Sequence, residues 1–229
     1  MKNLTFGLIL CGSGVKDGSE IHEATLTLLA LDRLNVTIKF LSLNKDQHHV
    51  VDHTNDTDIS GEPRNCLIES ARIARGPVTD INSINIADFD AFIFPGGFGA
   101  AKNLCSFAFD GVNQTIDPTI SNLISTAHQQ SIPMGFLCIS PVIPAKLIPN
   151  VTLTIGSDEG TAAAITEMGG KHVSATVSEI VVDNEHLVVS TPAYMLANSI
   201  SELSTGIDAL VDQVYNWAKK RSLSTSAAG

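Results

Sequence analysis

The sequence predicts an α/β fold in which a mostly parallel sheet is covered on both faces by helices. Three observations lead there. Short apolar runs alternate with segments of helical period along nearly the whole chain. The runs at residues 88–97 and 131–138 are close to continuously apolar, as strands buried on both faces are. Each ends in a turn built from glycine or Ser-Pro, and in an open parallel sheet such turns share the carboxyl edge where ligands bind.

Residues 4–11 read as the first strand. Gly12-Ser13-Gly14 leads into a helix that Ser19 is expected to cap and that runs through Leu26, Leu29, Ala30 and Leu34. The paired glycines suggest a nucleotide, but the third glycine falls at Gly18, one residue beyond the dinucleotide spacing, and no cofactor is expected. Glu20 and Glu23 occupy the first turn, where the helix dipole favours carboxylates and such residues are ordinarily helix starters. Glu23 stands apart because it lies just beyond the carboxyl end of strand one. His22 faces another way and reads as a surface residue.

Residues 36–43 read as strand two, and residues 44–61 as a polar surface hairpin or excursion. His48, His49 and His53 crowd into that excursion, yet no cysteine or HExxH spacing accompanies them, so no metal is expected. Residues 64–75 have helical spacing stopped by Gly76-Pro77. The strand at 88–97 ends in Pro95-Gly96-Gly97, which is either a tight turn or a place where exposed N–H groups meet a ligand as an oxyanion hole. Residues 98–109 are expected to be helical in part, 110–117 to be a loop, and Pro118 to open a helix reaching about His128.

The stretch from Ser131 to Pro141 organises the rest. Its apolar run ends at Cys138 and turns into a helix near Pro141, which places the thiol at a first helical turn, where unpaired N–H groups would make it ionise more easily. The other reading is a small buried hydrophobe. Beyond it, 151–155 reads as a strand and 158–168 as a helix ended by Gly169-Gly170. Residues 179–183 and 186–190 read as a hairpin around Asn184-Glu185, and 193–218 as a long amphipathic helix.

With 229 residues and no shift in composition, one domain over residues 1–229 is expected. A 17 % charged and 44 % hydrophobic composition describes a soluble globular chain. The formal charge of −10, with Lys219-Lys220-Arg221 reading as a solvated helix end, argues against a nucleic-acid partner. The start is too short in apolar residues for a spanning helix and lacks the form of a leader, so no membrane partner and a cytoplasmic location are expected. Cys11, Cys66, Cys105 and Cys138 show no CxxC spacing, which sets aside zinc and thioredoxin-type chemistry and fits reduced thiols.

Four stretches taken together resemble a known family: residues 17–23, Pro95 to Leu104, Gly135 to Pro141, and Ser190 to Met195. The chain is similar over about residues 4–218 to the ElbB family, the isoprenoid-biosynthesis-associated glyoxalases. These are a branch of the PfpI and parkinsonism-associated deglycase superfamily, with a class I glutamine-amidotransferase-like fold. The resemblance implies a flavodoxin-like three-layer sandwich, commonly a homodimer, with Cys138 as nucleophile on a sharp turn and Glu23 as its partner. It also implies an oxyanion hole from the backbone N–H groups of Gly97 and Ile139. The sequence departs from many superfamily members in having Ile139, not histidine, after the cysteine. Amide chemistry needs a proton donor for the leaving amine, so the departure disfavours a glutaminase or protease. The expected activity is a glutathione-independent conversion of glyoxal and methylglyoxal to glycolate and lactate, needing no metal or cofactor; the same chemistry would act on early glycation adducts. The alternative is a redox-sensing or binding protein that uses an oxidisable Cys138.

Overall fold

A computed structural model describes residues 3–59 and 61–227. Met1 and Lys2 of the expected start, Ser60 of the expected excursion, and Ala228 and Gly229 at the end of the expected domain lie outside the described residues.

In chain order, β1 (Thr5–Ile9) is followed by α1 (Ile21–Arg33), β2 (Thr37–Ser42) and a small hairpin of β3 (Val51–Asp52) with β4 (Thr57–Asp58). Next come α2 (Cys66–Ala74), β5 (Thr79–Asp80), β6 (Ala91–Phe94), α3 (Phe107–Asp110), α4 (Pro118–Gln129) and β7 (Met134–Leu137). The chain continues through α5 (Val142–Leu147), β8 (Thr152–Leu153), α6 (Glu159–Glu167), β9 (Lys171–His172), β10 (Val181–Asp183), β11 (Val188–Thr191) and α7 (Ile200–Ala227). Seven strands form one sheet in the order β10-β11-β7-β6-β1-β2-β5, parallel throughout except where β10 runs against β11.

Register explains the continuous apolar runs. Leu8 sits between Phe40 and Ile93, and Phe136 between Phe94 and Ser190, with every residue of β6, β7 and β11 buried. One face packs Phe92, Phe94 and Phe136 against Ile120, Leu123 and Ile124 of α4 and Val142 and Ile143 of α5. The other packs Leu8, Ile93 and Val189 against Leu31 of α1 and Leu203, Ile207 and Leu210 of α7. Helices on both faces of a mostly parallel sheet make the expected three-layer, flavodoxin-like α/β arrangement.

Several boundaries differ from the expected ones, each for a local reason. Glu20, not Ser19, caps α1, because the Ser19 hydroxyl is turned back to accept the Cys11 N–H at 2.9 Å. The left-handed residue that ends α2 is Arg75 (φ 53°), ahead of Gly76. The segment after β6 holds a π-helical turn at Ala100–Leu104 before the short α3. The expected strand at 151–155 shrinks to β8, which pairs with β9 outside the main sheet. The β10–β11 hairpin turns over 184–187, wider than Asn184-Glu185. The long helix starts at Ile200 instead of at residue 193, since Ala193 takes a left-handed φ of 47° after Pro192 and the chain makes a 3-10 turn over Ala193–Met195.

Candidate active site

The turns after β1, β6, β7 and β11 meet at the carboxyl edge of the sheet, and the carboxyl of Glu23 joins three of the elements there. Its N–H donates to the Glu20 carboxylate at 2.7 Å, an ordinary capping contact. Its own carboxyl, fully buried, accepts the Gly96 N–H on Oε2 at 2.7 Å and the Tyr194 N–H on Oε1 at 3.2 Å. The Cys138 thiol makes a further hydrogen bond to the same carboxyl.

Cys138 stands on the turn between β7 and α5 with a left-handed φ of 58°, a conformation that costs a non-glycine residue on the order of 1–3 kcal/mol and persists only where surroundings fix it. Here they do. The Cys138 N–H donates to Thr191 O at 3.0 Å, and the Ser140 hydroxyl accepts the Leu137 N–H at 2.9 Å while lying 2.9 Å from Phe94 O. The result aims the sulfur along the sheet edge, where the backbone N–H groups of Gly97 and Ile139 hydrogen-bond it.

Gly96 lies directly over the pair. A Cβ there would come within 2.5 Å of Cys138 Cβ and 2.8 Å of Glu23 Oε2, so only glycine admits both side chains. Gly97 has a φ of 94° and packs on the Gly18–Glu20 backbone, which turns its N–H toward the sulfur.

Burial pushes the Glu23 carboxyl up to about 7, with the nearby Glu20 carboxylate adding to it and the backbone N–H groups opposing it. Burial and the Glu23 charge together hold the Cys138 thiol well above its ordinary range. This corrects the expected acidic thiol: α5 is only six residues long, and its few unpaired N–H groups do not outweigh desolvation and a neighbouring carboxylate. The two groups therefore titrate as a pair, giving up one proton near pH 7 and holding the second.

A stability effect follows from that carboxyl. Below pH 4.5 Glu23 is protonated in folded and unfolded chains alike; between 4.5 and about 7 only the unfolded chain ionises, so stability falls as pH rises through this window and the loss is complete above it. At about 1.4 kcal/mol per unit the loss is on the order of 3 kcal/mol. Urea unfolding of wild type and Glu23→Gln across pH 4.5 to 8 is expected to show the difference between them moving toward the variant by that amount. A difference that stays flat would mean that the carboxyl is not buried as described.

The sulfur faces a cavity of about 430 Å³ whose lining includes Gly97, Ile139, Glu20 and Tyr194, and Cys138 itself is 8 % exposed to it. His22, half exposed as expected, ends on the Tyr194 hydroxyl at 2.8 Å and near Glu20, not on sulfur. The histidines of the 44–61 excursion lie elsewhere: His53 Nε2 accepts the Lys16 N–H at 3.2 Å, His49 lies 3.1 Å from Lys102 Nζ, and His48 packs on Phe109. The structure thus brings together the four residues singled out in the sequence, Cys138, Glu23, Gly97 and Ile139. Sequence reasoning had Gly96 as half of the paired-glycine turn, without its contact to both side chains, and missed two more residues: Ser140 as the knot of the turn, and Tyr194. Tyr194 was hidden inside an expected helix, although it belongs to one of the four stretches that carry the family resemblance.

No protein-family model matches the chain. It is 42 % identical over 222 residues to the human "glutamine amidotransferase-like class 1 domain-containing protein 3, mitochondrial", covering 93 % of this chain and 83 % of that protein. Among solved structures, it superposes with a TM-score of 0.86 on an isoprenoid biosynthesis protein with an amidotransferase-like domain from Ehrlichia chaffeensis. That protein is 41 % identical, over 93 % of this chain and 99 % of the other. Drosophila melanogaster DJ-1beta, at 16 % identity and a TM-score of 0.54 over 96 % of this chain and 97 % of its own, shares the fold. Among the described residues no helix is long and apolar enough to cross a membrane.

Proposed function

The chain belongs to the family of glutamine amidotransferase-like class 1 domain-containing proteins, and from that premise we propose that it is an ElbB-type, glutathione-independent glyoxalase. The observation that carries the reading is the buried Cys138–Glu23 pair with two backbone N–H groups converging on its sulfur.

In this reading the pair reacts as its singly protonated form. As sulfur adds to the aldehyde carbon, the thiol proton passes to Glu23, the carbonyl π bond opens, and the developing oxyanion takes the Gly97 and Ile139 N–H groups. The adduct carbon is now one bond from sulfur and next to the Glu23 carboxyl. Glu23 hands the proton it took from sulfur to the oxygen of the neighbouring carbonyl. The carboxylate this restores takes the proton of the adduct carbon and delivers it to the neighbouring carbon, while the oxyanion re-forms a carbonyl. The aldehyde carbon is oxidised to a thioester and the ketone carbon reduced to an alcohol, so no outside electron carrier is required. Water then adds to the thioester, sulfur leaves with its proton, and glycolate or lactate is released.

Among the described residues the hydrogen-bond partners of the sulfur are a carboxyl and backbone N–H groups, with no imidazole to protonate an amine; an aldehyde, which has no leaving group, suits this set better than an amide. The redox-sensing alternative needs an exposed, readily ionised thiol, and burial of Cys138 weighs against it. A homodimer, action in the cytoplasm and turnover of early glycation adducts belong to the same proposal. The four free, buried cysteines fit a reducing compartment.

The test is to incubate the purified protein with methylglyoxal or glyoxal in the absence of glutathione and to quantify the 2-hydroxy acid. Stoichiometric, multiple-turnover lactate or glycolate is expected. Disappearance of dicarbonyl with no acid formed would mean adduct formation alone and would overturn the proposal.

A further inference from the structure

The cavity in front of Cys138 is far roomier, and lined quite differently, than methylglyoxal requires. Its volume of about 430 Å³ falls within the ~300–1,000 Å³ of small-molecule sites, well beyond what five heavy atoms fill. Val15, Phe98, Phe107 and Met195 supply apolar wall, and Phe98 is 49 % exposed at one side of it. The charged groups in the lining are two carboxyls, Glu20 and Asp158, with no lysine or arginine among the described residues that line it. Asp158 is kept ionised by the Thr161 N–H and hydroxyl at the start of α6. Lys102, outside the lining, lies 5.6 Å from the Phe98 ring and is tied to Lys16 O and His49.

The geometry points to a substrate class, resting on the glyoxalase reading above: uncharged α-oxoaldehydes that carry an aromatic or branched apolar group, seated against Phe107 and Met195 with the aldehyde at Cys138, anionic oxoaldehydes being refused. An apolar group gains by leaving water for this wall, whereas a carboxylate or phosphate would lose hydration to face two carboxyls without a counter-charge. The same two carboxyls repel the 2-hydroxy acid once it forms, which favours its release. The chemistry is unchanged: a thiol adds across the aldehyde, hydrogen moves between adjacent carbons, and one water is consumed.

The experiment compares kcat/KM for phenylglyoxal, methylglyoxal and a phosphate-bearing oxoaldehyde, and measures acetophenone and acetone binding by calorimetry. Phenylglyoxal is expected to exceed methylglyoxal by about 10-fold or more, the scale that apolar pockets discriminate by, and the phosphate ester to fall below both. Phe107→Ala, and independently Phe98→Ala at its exposed position, should shrink the phenylglyoxal-to-methylglyoxal ratio. Asp158→Asn, which keeps the helix cap, should raise turnover of the phosphate ester. Acetophenone should bind and acetone should not. If no oxoaldehyde is turned over but acetophenone still binds, the catalytic reading has failed and the apolar site stands. If methylglyoxal matches phenylglyoxal, or acetophenone does not bind, the proposed specificity is overturned.

Discussion

Cys138→Ala reduces formation of 2-hydroxy acid from methylglyoxal to the rate of buffer alone, a loss of at least about 10³-fold in kcat/KM, because no bond to the substrate can then form. The substitution is also a mild one structurally. Alanine keeps the Cβ that lies under Gly96 and, at the left-handed position, meets the same constraints from Thr191 O and Ser140 as cysteine does. Thermal unfolding should therefore stay cooperative while turnover is gone. A Cys138→Ala protein that retained wild-type lactate production would show that the sulfur is not the nucleophile, whatever the merits of its surroundings.

Glu23→Gln is expected to cost about 10² to 10⁴ in kcat/KM, the range that removing a positioned proton carrier covers. The pH profile is the sharper readout. In wild type, kcat/KM should rise as the pair loses its first proton near pH 7, since the singly protonated pair is the reactive form. In the variant that inflection should vanish. Glutamine also turns one N–H toward either Gly96 N–H or Tyr194 N–H, both of which now donate to carboxyl oxygens, so a constant structural penalty is expected at every pH. A constant penalty cannot erase an inflection, and a profile that kept its step near pH 7 in Glu23→Gln would assign the titration to another group.

The sheet was legible in the sequence because continuous apolar runs have few other uses. The runs at 88–97 and 131–138 read as buried strands whose Pro-Gly-Gly and Cys-Ile-Ser-Pro endings pointed to the carboxyl edge; the strands themselves are shorter, Ala91–Phe94 and Met134–Leu137. Cys138, Glu23, Gly97 and Ile139 converge as that edge and the family resemblance together implied. What stayed hidden was set by long-range contacts. Ser19 reads as a helix cap until the Cys11 N–H claims its hydroxyl. Residues 193–199 read as helix until the left-handed turn at Ala193 is seen, and the Tyr194 N–H that it aims at Glu23 is 171 residues from its acceptor. The thiol's electrostatics were misjudged for the same reason: a helix start is a local pattern, whereas desolvation and the Glu23 charge come from segments far apart in the chain.

The carboxyl that accepts from Gly96 and Tyr194 is shared by a helix start, a glycine turn and the loop after β11, so these three segments cannot loosen independently. Opening any one of them strands a buried acid and exposes the other two to solvent, which makes them a single foldon in native-state amide exchange. Catalytic readiness and the intactness of that small cooperative unit are then one property, held by a side chain that the solvent never touches.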